Sequence, residues 1–418
     1  MSDTMQPFHL WAMATAATVA AACAVVGTLL VVRRMSLLGD AIGHAVLPGI
    51  AVAVLAGGRP GGPLVFAGAV AAALVTVWLT RVLRSTAGLA DDAGAGVAFT
   101  ALFALGIVIV STLGARQDLD PGCVLHGILE LVPFDTVSIA GRAVPRGLVS
   151  AAVVLAAVVA GLAATWKLQV FTAFDADAAR AAGLPVAAVT GGLLAATAVT
   201  TVAGFEVVGA VLVVALLVVP AAAAELLVRR LHLVVILAAV LAVVGACLGY
   251  LAAWRWNTSA AGMIAVVLGL EYLLAAVVAP DDGLVARGLS RLGYALRVAR
   301  EDVLAGLWRA EEAGVAPPAT SAVGRVAAAW LAATGAVERR DGRRSLTPRG
   351  RVEAEMVVRS HRLWEAWLGR HSDLPLDHLH PPAEFVEHHL GAAMRQRIEA
   401  EVGRAVGDPH GRDIPPEA

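Results

Sequence analysis

The chain has 418 residues, 58% hydrophobic and 16% charged, with a mean hydropathy of +0.76. Of its 65 acidic and basic side chains, 39 fall in residues 281–418, as 19 Arg and 20 Asp or Glu. A single soluble domain, which carries about 25% charge, is excluded, and the first 280 residues have the composition of a membrane protein.

Further classes fall away on residue counts. There are three Cys (Cys23, Cys123, Cys247) and no CxxC, so a disulfide scaffold is excluded. A net charge of −1 and a pI near 6.8 leave no nucleic-acid footprint on the whole chain. Lys167 is the sole lysine and Leu168 follows it, so no GxxxxGK[ST] phosphate loop and no ATP site of that kind is present.

In chain order, nine apolar stretches are predicted near 9–32, 40–57, 61–80, 94–113, 147–166, 186–203, 206–227, 233–252 and 258–279. Each approaches the roughly 20 residues that cross a bilayer core. The short join at Ala203–Phe205 also admits a buried hairpin there, so eight or nine spans are expected. Met1–Gln6 lacks the basic residues of a cleaved signal. One set of loops holds Arg33, Arg34, Arg81, Arg84, Lys167, Arg180, Arg229 and Arg230, and the other Arg59, Arg116, Arg142, Arg146 and Arg255. The bias places the N-terminus outside and the C-terminal third in the cytoplasm.

The second stretch carries charge where a span should avoid it. Asp40 and His44 stand one helical turn apart, about 10–15 Å past Arg34 at roughly 1.5 Å per residue. A carboxylate and an imidazole so placed suit a shared divalent cation, or an ion pair that orders helix packing. Pro48 and Gly49 then loosen the helix. Further on, Phe174 and Leu184 are apolar while Asp175, Asp177 and Arg180 are polar, which suits a partner-docking segment or a connector. Asp118, Asp120 and His126 read as loop residues, and Glu206, Glu225 and Glu271 as partners for nearby Arg.

The stretch SLLGDAIGHAVLPGIAVA at 36–53 resembles the signature of the ABC-3 permeases, importers of zinc, manganese or iron. DDAGAGVAFTALFALGIVIV at 91–110, FDADAARAAGLPV at 174–186 and VVGAVLVVALLVVPAAAAELL at 207–227 resemble later blocks of the same family. The resemblance implies a polytopic all-α fold over residues 1–280, with Asp40 and His44 lining the metal path. It also implies that Phe174, Asp175, Arg180 and Leu184 belong to a helix that docks on a separate ATPase subunit. The implied partners are that ATPase, an extracellular or periplasmic metal-binding protein, membrane lipid and a second permease copy in a homodimer, at the plasma or inner membrane.

After Pro280 the periodicity stays helical but the faces become charged. Seven of the eleven His lie in residues 361–418. Glu384, Glu387 and His388 share one helix face, and His361 and Glu365 share another; such faces suit either a cation site or a wet surface. EDVLAGLWRAEEAGV at 301–315, SLTPRGRVEAEMVVRSHRLWEAWL at 345–368, HPPAEFVEHHL at 380–390 and GDPHGRDIP at 407–415 resemble the iron- and manganese-dependent repressors. The resemblance implies a main metal set of Asp302, His361, Glu384, Glu387 and His388, and an ancillary set of Glu365 and His380. Ala305 replaces an acidic ligand of the manganese type. Glu384, in place of a softer ligand, favours manganese or iron as the bound ion, with zinc also compatible.

Residues 281–418 are thus expected to form a mainly α cytoplasmic domain, with a shortened winged helix at 295–350 and a metal-binding and dimerisation region at 351–418. Only one helix-like stretch, 320–334, precedes the arginine-rich hairpin at 337–348, and it offers only Arg325 to DNA. That argues against DNA binding, for which two helices precede the wing. The expected function is the permease subunit of a divalent-metal ABC importer with a fused metal sensor and no enzymatic activity of its own. The rival functions are a membrane-tethered metal-responsive transcription regulator and a proton-coupled metal transporter.

Overall fold

A computed structural model describes residues 7–58, 62–88, 91–113, 129–139, 141–281, 283–340, 343–372, 375, 386, 388, 391–402 and 407–416, without the side chains of Leu37, Leu38, Asp40, Arg84, Asp91, Asp92 and Ala392. Contacts divide it into two units, Met1–Ala286 and Arg287–Ala418.

The first unit is a helical bundle. Its helices are α1 (Pro7–Val32), α2 (Leu37–Ala45), α3 (Leu47–Leu55), α4 (Pro63–Ala87), α5 (Asp91–Leu113), α6 (Arg146–Phe174), α7 (Ala176–Ala181), α8 (Val186–Val208), α9 (Ala210–Leu227), α10 (Leu231–Trp256) and α11 (Ala260–Val278). Among the described residues, eight of these are long and apolar enough to span a membrane. The ninth expected stretch, 40–57, is not one helix but two short ones that meet at Val46. The cause is local: Pro48 has no N–H to return to the carbonyl of His44 four residues earlier. No break occurs at 203–205: α8 runs on to Val208, and the helix is interrupted at Gly209, whose φ of +84° only glycine adopts cheaply, before α9 starts at Ala210.

Helix α1 is the centre of the bundle and packs on α6, α8, α9 and α10, while α2 and α3 pack on α4 and α5. In lipid there is little hydrophobic gain from helix association, so close backbone approach matters more. A Cβ on Gly27 would stand 1.9 Å from the carbonyl oxygen of Leu217, so glycine sets the α1–α9 distance. Gly49 of α3 and Gly68 of α4 do the same for each other, with clashes of 2.1 and 2.5 Å. Between α5 and α6 a small hairpin, β1 (Thr136–Ile139) and β2 (Arg142–Pro145), pairs antiparallel.

The second unit contains most of α12 (Leu284–Ala313), then α13 (Ala322–Ala333), the antiparallel hairpin β3 (Val337–Arg340) and β4 (Arg343–Leu346), α14 (Pro348–His371) and α15 (Ala392–Val402). Val303, Leu304, Leu307, Leu331, Val337 and Leu346 form one core. Leu363, Ala366, Ile398 and Val402 form another. Ser321 and Thr347 cap α13 and α14 through the N–H groups of Gly324 and Gly350. No helix forms between Ala313 and Ala322, where Pro317 and Pro318 withhold two donors. Two helices, α12 and α13, therefore precede the hairpin, where the sequence reading counted one.

Candidate metal path and metal-binding clusters

Helix α2 carries the intramembrane candidates. Asp40 and His44 lie on this one helix, four residues apart; the side chain of Asp40 is outside the described residues. The His44 ring is half-buried, with its centroid 6.1 Å from that of Phe99 and 5.9 Å from that of Phe103 on α5. On the other side, Gly43 lets Phe205 of α8 close in, since a Cβ there would stand 2.5 Å from its ring. Leu217 of α9 packs against Gly39 in the same way, at 3.0 Å. The helix is thus wedged by residues of three neighbours, which fixes the height and rotation of His44.

One residue the sequence did not single out ties the end of α1 to α6 and α8, the helices on either side of α7. Arg33 follows the last residue of α1, and its guanidinium donates to acceptors on two other helices, α6 and α8. It reaches the backbone and side-chain oxygens of Gln169 at 3.2 and 2.6 Å, Thr172 Oγ1 at 2.8 Å and Thr190 Oγ1 at 3.2 Å. Gln169 and Thr172 are buried near the end of α6, and Thr190 stands in the first turns of α8. Burial lowers the Arg33 pKa from its ordinary value, and these neutral acceptors offset that desolvation.

Between α6 and α8 stands α7. Asp175 caps it by accepting from the N–H groups of Asp177 and Ala178 at 3.0 and 2.9 Å. At the other end the N–H groups of Gly183 and Leu184 return to the carbonyls of Arg180 and Ala179, with Gly183 at φ +76°. Arg180 pairs with Asp177 on the exposed face. Leu184 is half-buried, so Phe174, 92% exposed, is the apolar group this segment presents.

In the second unit the candidate ligands separate into two clusters. His388 stands against the C-terminal half of α12, with Nδ1 2.6 Å from Glu301 Oε2 and Nε2 3.3 Å from Asp302 Oδ1. His361 Nε2 lies 3.2 Å from Glu365 Oε1, both buried on α14, and His410 Nε2 reaches the same oxygen at 3.9 Å. The resemblance assigned His361 and Glu365 to different sets; the structure joins them. Glu384, Glu387 and His380 lie outside the described residues, as do Asp118, Asp120 and His126. Among the described residues, no three His, Cys, Asp or Glu groups form a metal-holding set.

Glu301 and His410 are additions that sequence reading missed. Glu301 adjoins Asp302, but only the fold shows that both face His388. His410 is carried by a loop that Asp408 builds, accepting from the N–H groups of His410 and Arg412. Arg362 holds that loop on α14 through the Asp413 carbonyl and an ion pair with Asp408 at 3.7 Å. The donors are imidazoles and carboxylates without thiolate, which suits a divalent first-row cation.

Comparison with known proteins places this geometry. Residues 5–279 match the model of the ABC 3 transport family, and residues 347–416 match the metal binding and dimerisation domain of iron dependent repressors. The chain is 39% identical over 286 residues to the manganese transport system membrane protein MntD of Bacillus subtilis, covering 68% of this chain and 97% of that one. It is 36% identical over 274 residues to the zinc transport system membrane protein TroD of Treponema pallidum, covering 66% and 75%. The solved structure of PsaBC from Streptococcus pneumoniae in complex with Fab superposes with a TM-score of 0.57 at 26% identity, covering 68% of this chain and 95% of that one. With a bundle of this architecture and a match that runs from residue 5 to residue 279, the chain belongs to the ABC 3 transport family.

Proposed function

We propose that this chain is the membrane-spanning permease subunit of an ATP-binding-cassette importer for manganese, zinc or iron, fused to a cytosolic metal sensor that regulates transport. The observation that carries this reading is the position of His44 and Asp40 on a short, broken helix wedged inside the bundle. An ionisable pair in a span is costly and is retained for a path. The cargoes named for MntD and TroD support a divalent cation.

Asp40 and His44 hold the ion briefly between gates. ATP is hydrolysed by a separate subunit, which docks on Phe174 and the rim of α7. A second copy of the chain completes the path, and an external binding protein delivers the ion. The N-terminus lies outside and residues 281–418 lie in the cytoplasm. There, His388 beside Glu301 and Asp302, together with Glu384 and Glu387 of the same sequence motif, supplies the sensor's ligands, and the His361–Glu365 pair supports them. When cytosolic metal fills these groups it orders the domain and slows uptake.

The test is reconstitution of the chain with its ATPase in proteoliposomes, with manganese, zinc and iron offered in turn. ATP-dependent accumulation of at least one is expected. Accumulation that follows a proton gradient and ignores ATP would instead support a proton-coupled carrier.

A further inference from the structure

Helix α12 carries one apolar stripe along its length, and only part of it is covered. In the C-terminal half the stripe is core: Ala299 and Val303 are buried. The same face continues towards the N-terminus as Leu296, Leu292, Leu289 and Val285, at steps of three and four residues. Leu296 is half-buried, whereas Val285, Leu289 and Leu292 are 53–65% exposed. Residues 283–300 contain four Arg and no Asp or Glu. Only Ala279–Gly283 separate this helix from the end of α11, the last candidate span.

We propose that residues 284–296 lie in the headgroup layer of the bilayer, with the stripe in the acyl boundary and Arg287 and Arg291 against anionic lipid phosphates. At about 100° per residue Arg287 and Arg291 fall on the side of the helix away from the stripe, and an apolar face backed by a basic polar face is the pattern of interfacial helices. The long arginine stems let the charge reach the phosphates while the apolar side sinks. A second copy is the poorer occupant. Gly288 and Gly293 weaken a free-standing coil, and residues 283–300 supply no carboxylate for an interhelical ion pair. This anchoring rests on the membrane placement proposed above and not on the identity of the cargo.

The experiment uses the full chain in nanodiscs, with Cys23, Cys123 and Cys247 replaced by Ala. A nitroxide is attached at Leu289→Cys or at Ser290→Cys, and its collision rates with oxygen and with a water-soluble nickel chelate are compared. In phosphatidylcholine with phosphatidylglycerol, the oxygen-to-nickel ratio at 289 is expected to exceed that at 290 about tenfold. The contrast should shrink in phosphatidylcholine alone and in Arg287→Glu/Arg291→Glu. Equal water access at 289 and 290 would overturn the proposal, and so would spin–spin broadening between copies at 289. A contrast indifferent to lipid charge would remove the role of the arginines. Nanodiscs expose both faces, so these outcomes do not depend on sidedness; protease protection in cells tests that separately.

Discussion

Arg33 brings together the end of α6 and the start of α8, and seven residues further along the chain stands Asp40. The end of α6 and the start of α8 are therefore held to the residue that precedes the entry to α2. Removing the guanidinium strands the buried side-chain oxygen of Gln169 and frees three helices from one anchor. Arg33→Ala is expected to cost about 1.5–3 kcal/mol, the range for a hydrogen bond to a charged group, read as a lower thermal midpoint of the detergent-solubilised chain. Arg33→Lys retains the charge but not the fork, and should couple ATP hydrolysis to uptake less well at near-normal stability. Equal stability and coupling in both variants would show the clamp to be incidental. In the second unit, Glu365→Ala removes the oxygen shared by His361 and His410. Manganese affinity, measured by electron paramagnetic resonance on the full chain, should fall about tenfold or more, in line with the loss of ligand support at metal sites. Unchanged affinity would mean that this cluster is structural.

At the scale of elements, the proposed docking segment α7 is a short helix closed at both ends, by Asp175 and by Gly183. Because Gly183 has φ +76°, Gly183→Val is expected to cost at least about 1 kcal/mol locally and to loosen α7. Phe174→Ala is a cleaner test, since the side chain is already bare and the fold loses little. It should weaken association with the ATPase about tenfold, as loss of an exposed aromatic anchor does, while leaving thermal stability unchanged. Copurification of normal amounts of ATPase would place the dock elsewhere. The spans themselves were legible because a bilayer demands about 20 apolar residues, and such runs survive any local ambiguity. The break at Val46 was legible too, since Pro48 removes a specific hydrogen bond. Less visible was the hairpin Thr136–Pro145, four-residue strands in a polar loop whose pairing no periodicity announces. Nor could the sequence give Glu301 with His388 or His410 with Glu365, pairs separated by 87 and 45 residues and joined only by the fold.

For the whole molecule, the residues proposed for the metal path and those proposed for the sensor stand in two separate units of one chain. This division motivates the proposed feedback. Deleting residues 290–418 should raise uptake in metal-replete cells and leave it unchanged in starved ones; unchanged uptake in both would reject the regulatory role. The bundle does not depend on that domain for its core, which is built from α1 and its neighbours. The truncated chain is therefore expected to insert and assemble. The most direct test of the central claim is metal uptake into proteoliposomes by the Asp40→Ala/His44→Ala double variant, assembled with its ATPase in normal amounts. Loss of manganese, zinc and iron accumulation with ATP hydrolysis retained is the expected result. Normal accumulation of all three ions would contradict the claim that this pair carries the cargo.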